Sequence, residues 1–522
     1  MSRTTQALVG AVGRHTSRTA AILSSTTLAL VLAAGSAPFA SSASAAPGCA
    51  GAEADFNGDG IRDTAIADTG ATVNGAAKAG LVHIVYGGGK GTLELTQESA
   101  KAGASEAGDQ FGFSLAVYDA DLDGCADLAL GVPYEDVAGR PDAGRAVVVY
   151  GSPTGLAAGK ASIQYLQGAA PLTGSAEAED WAGYSLAAGK SSAGVPFLSI
   201  GVPGEDLGTV PDAGGVIYVS GSTTVNVGII TQDTATAGAV PDAAEAYDRF
   251  GTAIAATPTH LAISAPGESQ GSIVDAGSVT TFSHTLVSGV PTPLNVITQD
   301  SPNVFGVCET GDAFGTSIAA VPYRAEGATS TSESLLVVGI PNEERTTTQD
   351  SGGVEVFRLD AVGGFQQTQF IDQATTGVAG TATSGDHFGQ RVVAANTAPD
   401  SVSTPENTRV AVGIPGKEST SGVADRGQVQ VLPLVGPPGD SDVLLAPGYG
   451  MPAPAAPRQY AGMSLGSSTA GLYVGLPYGP TAGRAVYLFS WNVANAGAPV
   501  QTFKPGQDGI PVGIGTFGTA VR

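Results

Sequence analysis

The C-terminal stretch GTFGTAVR (515–522) is a short alternating β run led by a Phe-Gly step, and its reading decides the fold. The same step recurs upstream as DQFGFSLAV (109–117), DWAGYSLAA (180–188), DRFGTAIAA (248–256), DAFGTSIAA (312–320), DHFGQRVVA (386–394) and QYAGMSLGS (459–467). In each of those six upstream units the step is followed by a strand-like run ending in Gly-x-Pro or a near equivalent, from LALGVP (128–133) to LYVGLP (472–477). A glycine with a second alternating run comes next, from AGRAVVVY (143–150) to AGRAVYLF (482–489). Period-2 alternation bounded by Gly and Pro predicts short strands. Six steps from Phe111 to Phe517 cover 406 residues, about 68 per unit, so the chain holds about seven units.

The two ends of the repeat array complete one another. The first unit opens at DFNGDGIRD (55–63), continues through a strand near Ala65–Ala67 and the run AGLVHIVYG (79–87), and has no aromatic-Gly strand ahead of it. GTFGTAVR supplies the missing strand. A linear β-solenoid leaves a half-unit at each end, whereas a closed ring leaves no open sheet edge. The expectation is therefore an all-β, seven-bladed propeller of four-stranded antiparallel blades over 46–522, the first blade closed by the C-terminal strand.

Composition agrees and narrows the function. Of 522 residues 75 are glycine, and charged residues make up 13%, about half the usual share. The formal charge of −24 argues against nucleic acid or an anionic membrane bound through a basic patch. Residues 1–45 read as a secretory signal peptide: Arg3, Arg14 and Arg18 precede an apolar core, and Ala43-Ser44-Ala45 is a small-residue cleavage site. The remainder carries 20 basic residues against 47 acids and has no run apolar enough to cross a bilayer. A secreted chain, free outside the cell or held at its surface, follows as the expected location.

The Phe-Gly and Gly-x-Pro landmarks, with acidic loops between them, resemble the FG-GAP repeats of the integrin α-chain N-terminal propeller and of secreted bacterial proteins similar to it. That resemblance implies seven four-stranded blades about an axis and partner binding at one face. Two units carry Ala-Gly (Ala182, Ala461), and the first has Ala67-Asp68-Thr69 where the others have Gly-x-Pro.

Two nine-residue loops carry the strongest chemistry. In DFNGDGIRD, Asp55, Asn57, Asp59 and Asp63 occupy positions one, three, five and nine; in DADLDGCAD, Asp119, Asp121, Asp123 and Asp127 do the same. With the main-chain carbonyl of Ile61 or Cys125 at position seven, each set can wrap a hard cation, and the glycine at position six permits the sharp turn. Two Ca2+ sites are expected. Position twelve holds Ile66 or Leu130 instead of the glutamate of an EF-hand. By the resemblance, both loops join first and second strands and stiffen the blades.

Three cysteines leave one unpaired. Cys49 precedes the first loop and Cys125 lies inside the second, so adjacent blades predict a Cys49–Cys125 disulfide and a free Cys308. At the opposite loop ends the acids recur: Glu135, Asp136, Glu205, Asp206, Glu268, Glu343 and Glu418 after Gly-x-Pro, and Asp142, Asp212 and Asp275 before the third strand. These either terminate turns or form a ligand rim. His83 is expected to face solvent, and the proline-rich stretch 437–457 to be an inter-blade loop. Gly462-Met463-Ser464-Leu465-Gly466 spells a nucleophile elbow but falls in an inner strand, and no catalytic residue is assigned. The reading is a monomeric binding or adhesion module for an extracellular protein or glycan. An extracellular ester or glycan hydrolase or lyase, and a structural envelope protein, are the alternatives.

Overall fold

The computed structural model describes residues 48–49, 51–172, 174–233, 242–345, 348–512 and 515–522. The leader read over 1–45 lies outside them. The described strands form seven sheets arranged as a β-propeller, each running outward from an inner strand through four antiparallel strands. Blade 1 joins Phe517–Val521 to Thr64–Asp68, Leu81–Val85 and Thr92–Leu95, closing the ring as the orphan Phe-Gly step requires. Ile66 lies opposite Val521 and Asp68 opposite Phe517. Blade 2 follows as Leu115–Tyr118, Asp127–Val132, Arg145–Val149 and Ile163–Tyr165.

The core sits between blades. Successive side chains on a strand point to opposite faces, and here each face meets a neighbouring blade, so a second strand such as Asp127–Val132 is buried along its whole length. Seven apolar clusters result, one at each junction. Between blades 1 and 2, Ala65, Val82 and Leu95 pack on Leu115, Leu128 and Val147. At the closing junction, Ile66, Phe517 and Val521 pack on Tyr473, Val486 and Leu488.

The landmark glycines set how closely the blades approach. A Cβ on the Gly-x-Pro glycine of one blade would fall on the carbonyl oxygen of the next blade's aromatic-Gly or Ala-Gly step, as in the pairs Gly131/Gly183, Gly201/Gly251, Gly339/Gly389, Gly413/Gly462 and Gly475/Gly518. Serine hydroxyls reinforce the contact: Ser114 Oγ donates to Gly183 O at 2.7 Å and Ser185 Oγ to Gly251 O at 2.6 Å. Gly462-Met463-Ser464-Leu465-Gly466 is part of the same scheme, with Ser464 Oγ donating to Gly518 O at 2.5 Å. Its hydroxyl therefore belongs to the inter-blade packing.

Blade 1 departs from Gly-x-Pro, and the departure has a use. Asp68 is fully buried, and its carboxylate accepts the Gly515 N–H at 2.9 Å and the Thr516 N–H at 2.5 Å. Thr516 Oγ1 in turn accepts the Gly70 N–H at 2.8 Å. Asp68 thus clasps the strand that closes the ring.

Two sequence expectations are corrected. His83 does not face solvent: it is buried against the Phe517 ring, 5.5 Å between centroids, because the closing strand covers the position that would otherwise be an outer face. The stretch 437–457 is more than a loop, since Val443–Pro447 is the outer strand of blade 6 and Gly450–Met451 adds a short parallel fifth strand. Pro447 ends its strand, where the missing N–H costs no ladder bond.

Replacing Asp68 by Ala leaves two buried backbone donors unsatisfied at the closure. It is expected to destabilise the chain by about 1–3 kcal/mol in urea unfolding, with Asp68→Asn, which keeps one acceptor oxygen, losing less.

Candidate metal loops and inter-blade carboxylates

The acidic loops 55–63 and 119–127 lie side by side, each entering the second strand of its blade. Backbone bonds lace them: Ala126 N–H donates to Asp55 O at 2.9 Å, Ser152 N–H to Phe56 O at 3.1 Å, and Gly51 N–H to Gly124 O at 2.9 Å. The Cys49–Cys125 disulfide crosses the same gap, and Cys308 is free and buried. Closing a span of 76 residues stabilises the chain by about 4.5 kcal/mol in the chain-entropy account.

Within each loop the residue at position nine clamps two turns. Asp63 accepts N–H bonds from Phe56 and from Gly87, both at 2.8 Å, and Asp127 accepts them from Ala120 at 2.7 Å and Gly151 at 2.8 Å. Burial pushes the Asp63 carboxyl up to about 6 and the Asp127 carboxyl up to about 7, with neighbouring loop carboxylates adding to the rise. Asp55 accepts from Asp59 N–H at 3.1 Å and Gly60 N–H at 2.7 Å, and Asp59 Oδ1 from Ile61 N–H at 2.8 Å. These turns bend the loop around its own side-chain oxygens.

The donor set fits a hard cation. Asp119, Asp121 and Asp127 each offer a carboxylate oxygen within 4.8 Å of the others. Oδ1 of Asp119 and of Asp121 is buried without a hydrogen-bond partner, while the other oxygens face Lys190 at 3.1 Å and Lys160 at 3.2 Å. Unpaired buried acceptors are costly, and an oxygen-ligated ion would satisfy both. Asn57 lies half-buried, and Asp59 and Asp123 are exposed toward the open side of their loops.

The acids at the other loop ends divide by position. Those ahead of the first strand, Asp109, Asp180, Asp248, Asp312 and Asp386, are all buried, as are Glu135, Glu268 and Glu343, with Glu205 half-buried. Asp136, Asp206, Asp275 and Glu418 are exposed, and Asp142 and Asp212 intermediate. Asp142, Asp212 and Asp275, at φ 54, 47 and 51, occupy the left-handed region that Asp tolerates in tight turns. Turn formation therefore accounts for the acids before the third strand.

A residue type that the sequence reading passed over organises the buried set. Gln97 Nε2 donates to Asp109 Oδ2 and to Glu135 Oε2, both at 2.8 Å; Gln167 donates to Glu205 at 2.6 Å, Gln232 to Glu268 at 2.6 Å and Gln299 to Glu343 at 2.8 Å. Each glutamine closes the outer strand of one blade and reaches the Glu after Gly-x-Pro in the next. The recurring Thr-Gln or Leu-Gln at 96–97, 166–167, 231–232 and 298–299 was the available signal. Blade 6 replaces the glutamate by Lys417, whose Nζ lies 2.7 Å from Asp386. In blade 2, Arg145 pairs with Glu135.

His260 and Ser334 stand at nucleophile-to-base distance, with Nδ1 to Oγ at 2.8 Å. Ser334 is fully buried and His260 Nε2 donates to the Asp360 carbonyl at 3.0 Å, so the pair ties blades 4 and 5 together.

Comparison with known proteins agrees with the repeat. Residues 111–149 match the FG-GAP repeat family, the propeller repeat of integrin α-chain type. The phosphatidylinositol-glycan-specific phospholipase D of Mus musculus is 36% identical over 106 residues, 20% of this chain and 12% of that protein. The solved structure of Saccharomyces cerevisiae Sqt1 covers 76% of each chain at 13% identity with a TM-score of 0.39.

The buried carboxyls make stability depend on pH. Glu135, Asp180 and Asp312 are each pushed up to about 7 by burial, from ordinary values of 4.5 for Glu and 3.8 for Asp. Between those values the folded chain holds protons that the unfolded chain has released. The stability these groups contribute is complete below the unfolded value and is lost as pH rises through the folded one. In metal-free buffer the thermal midpoint is expected to fall from about pH 5 to about pH 8, and Asp312→Asn to flatten that slope.

Proposed function

We propose that this chain is a secreted, calcium-stabilised propeller that acts as a binding module for an extracellular protein or carbohydrate. The paired acidic loops carry the reading: two copies of one oxygen-donor pattern, laced by backbone bonds and cross-linked at Cys49–Cys125. Asp55, Asn57, Asp59, Asp63 and the Ile61 carbonyl would hold one ion. Asp119, Asp121, Asp123, Asp127 and the Cys125 carbonyl would hold the other. Bound calcium supplies the positive charge that lets these oxygens converge. The chain's own part is to orient them, through the Asp63 and Asp127 clamps and the turns at Gly60 and Gly124.

The disulfide suits an oxidising compartment outside the cytosol. Beside the first loop an open cleft of about 280 Å3 is lined by Asn57, Asp59, Tyr86, Lys90, Pro153, Thr154 and Gly155. An amide, a carboxylate, an ammonium and a phenol around one opening suit a polar ligand, such as sugar hydroxyls or a protein carboxylate. Exposed Asp136, Asp206, Asp275 and Glu418 leave the opposite end negative, open to a cationic partner. From the phospholipase D match we take the repeat alone, since the shared segment is 12% of that protein.

Calcium at about one hundred times its dissociation constant adds about 2.7 kcal/mol per site. Scanning calorimetry is expected to show the thermal midpoint falling on chelation and recovering with calcium, and Asp119→Asn/Asp121→Asn removing part of the recovery. An unchanged midpoint overturns the metal assignment. On glycan and peptide arrays, retention that vanishes on chelation supports the binding role, and retention indifferent to chelation breaks its link to the loops.

A further inference from the structure

The carboxylates that lock neighbouring blades repeat in position but differ in what balances their charge. In blade 6, Lys417 stands in for the glutamate and its ammonium sits 2.7 Å from Asp386. In blade 2 the Arg145 guanidinium pairs with Glu135 beside Asp109. Between blades 3 and 4 the same positions hold Asp248 and Glu268, and the charges acting on them are negative: each other, Glu245 and Asp242. Glu245, Asp248 and Glu268 each offer an oxygen within 4.8 Å of the others.

A further observation within the cluster points to an occupant. Asp248 is 1% exposed; its Oδ2 accepts the Glu245 N–H at 2.6 Å, while Oδ1 is buried with no partner. Gln232, 2% exposed, donates through Nε2 to Glu268 Oε2 at 2.6 Å, and its Oε1 is buried and unpartnered like those of Gln97, Gln167 and Gln299 at the other junctions. Glu245 is exposed, so the cluster opens to solvent on that side. Oxygens that share an ion at 2.3–2.6 Å lie no more than about 5 Å apart, which these three carboxylates meet.

We propose that Glu245, Asp248 and Glu268 bind a divalent cation of calcium type between blades 3 and 4, in the place that Lys417 and Arg145 fill from the chain itself in blades 6 and 2. Asp242, in hydrogen-bond contact with Glu268, adds a fourth carboxyl beside them. The ion locks a junction that has no cation of its own, and unlike the cation-free pair Asp180 and Glu205 between blades 2 and 3, this one brings a third carboxylate within reach.

The test counts calcium bound to the full chain by equilibrium dialysis at about pH 8, where the carboxyls are ionised in the presence of metal. Asp248→Asn/Glu268→Gln is expected to bind one calcium fewer than the unmodified chain. Asp119→Asn/Asp121→Asn reports the second loop separately, so failure of the loop assignment and failure of this one are distinguishable. Because the buried variant can disturb folding, Glu245→Gln, on an exposed side chain, serves as the second probe, with an expected loss of tenfold or more in affinity for one ion. Equal counts in the Asp248→Asn/Glu268→Gln variant and unmodified chain, or an unchanged affinity in Glu245→Gln, overturn the proposal and leave protons as the occupants of the cluster.

Discussion

Everything in this propeller depends on how closely one inner strand can lie against the next. The carbonyl of each aromatic-Gly or Ala-Gly step occupies the space that a Cβ on the preceding blade's Gly-x-Pro glycine would take. Where a side chain is present at that place, as at Ser264 or Ala67, it is small and faces a glycine, Gly315 or Gly112. The enrichment in glycine is thus a packing requirement at the ring's narrowest circle. Small residues such as Ala182 and Ala461 take the aromatic place and are as buried as Phe111 or Phe250. The slot requires burial and a following glycine more than it requires an aromatic ring.

The blade count, the closure and the pairing of the cysteines were legible because each rests on a repeated spacing. Phe517-Gly518 could be assigned to blade 1 before any contact was known, since only that blade lacked an inner strand. Individual environments were less legible. His83 sits at an alternating position that reads equally well inward or outward, and the covering Phe517 is 434 residues away in sequence. The strand Val443–Pro447 was hidden by prolines that fall at its edge. Of the candidate site, the loop donors were visible from their own spacing. The Gln97, Gln167, Gln232 and Gln299 locks were not, because a single Gln at a strand end has no pattern until it is aligned with the acid it reaches in another blade.

Charge divides the molecule into two ends with different logic. At the metal-loop end, Asp63 and Asp127 each spend both oxygens on backbone N–H groups, so the acids at position nine hold the fold as well as the candidate ion site. At the other end, buried carboxyls are matched by glutamine amides, by Arg145 or by Lys417. A substitution between Glu and Lys at one repeat position changes the sign of a whole junction while leaving its geometry in place. Repeats that look equivalent in backbone therefore differ in electrostatic state, and only the exposed acids remain free for a partner.

Closure through Phe517–Val521 also sets an order of events in time. Thr64–Asp68, Leu81–Val85 and Thr92–Leu95 can pair as soon as they emerge, yet Thr64–Asp68 keeps a bare hydrogen-bonding edge until residues more than 400 positions later arrive. Through that interval the first blade is an unpaired sheet edge of the kind that recruits other chains. Asp68, clasping Gly515 and Thr516, acts at the last step of ring formation. The chain's vulnerability to misassembly is accordingly concentrated in the period before its final strand has docked.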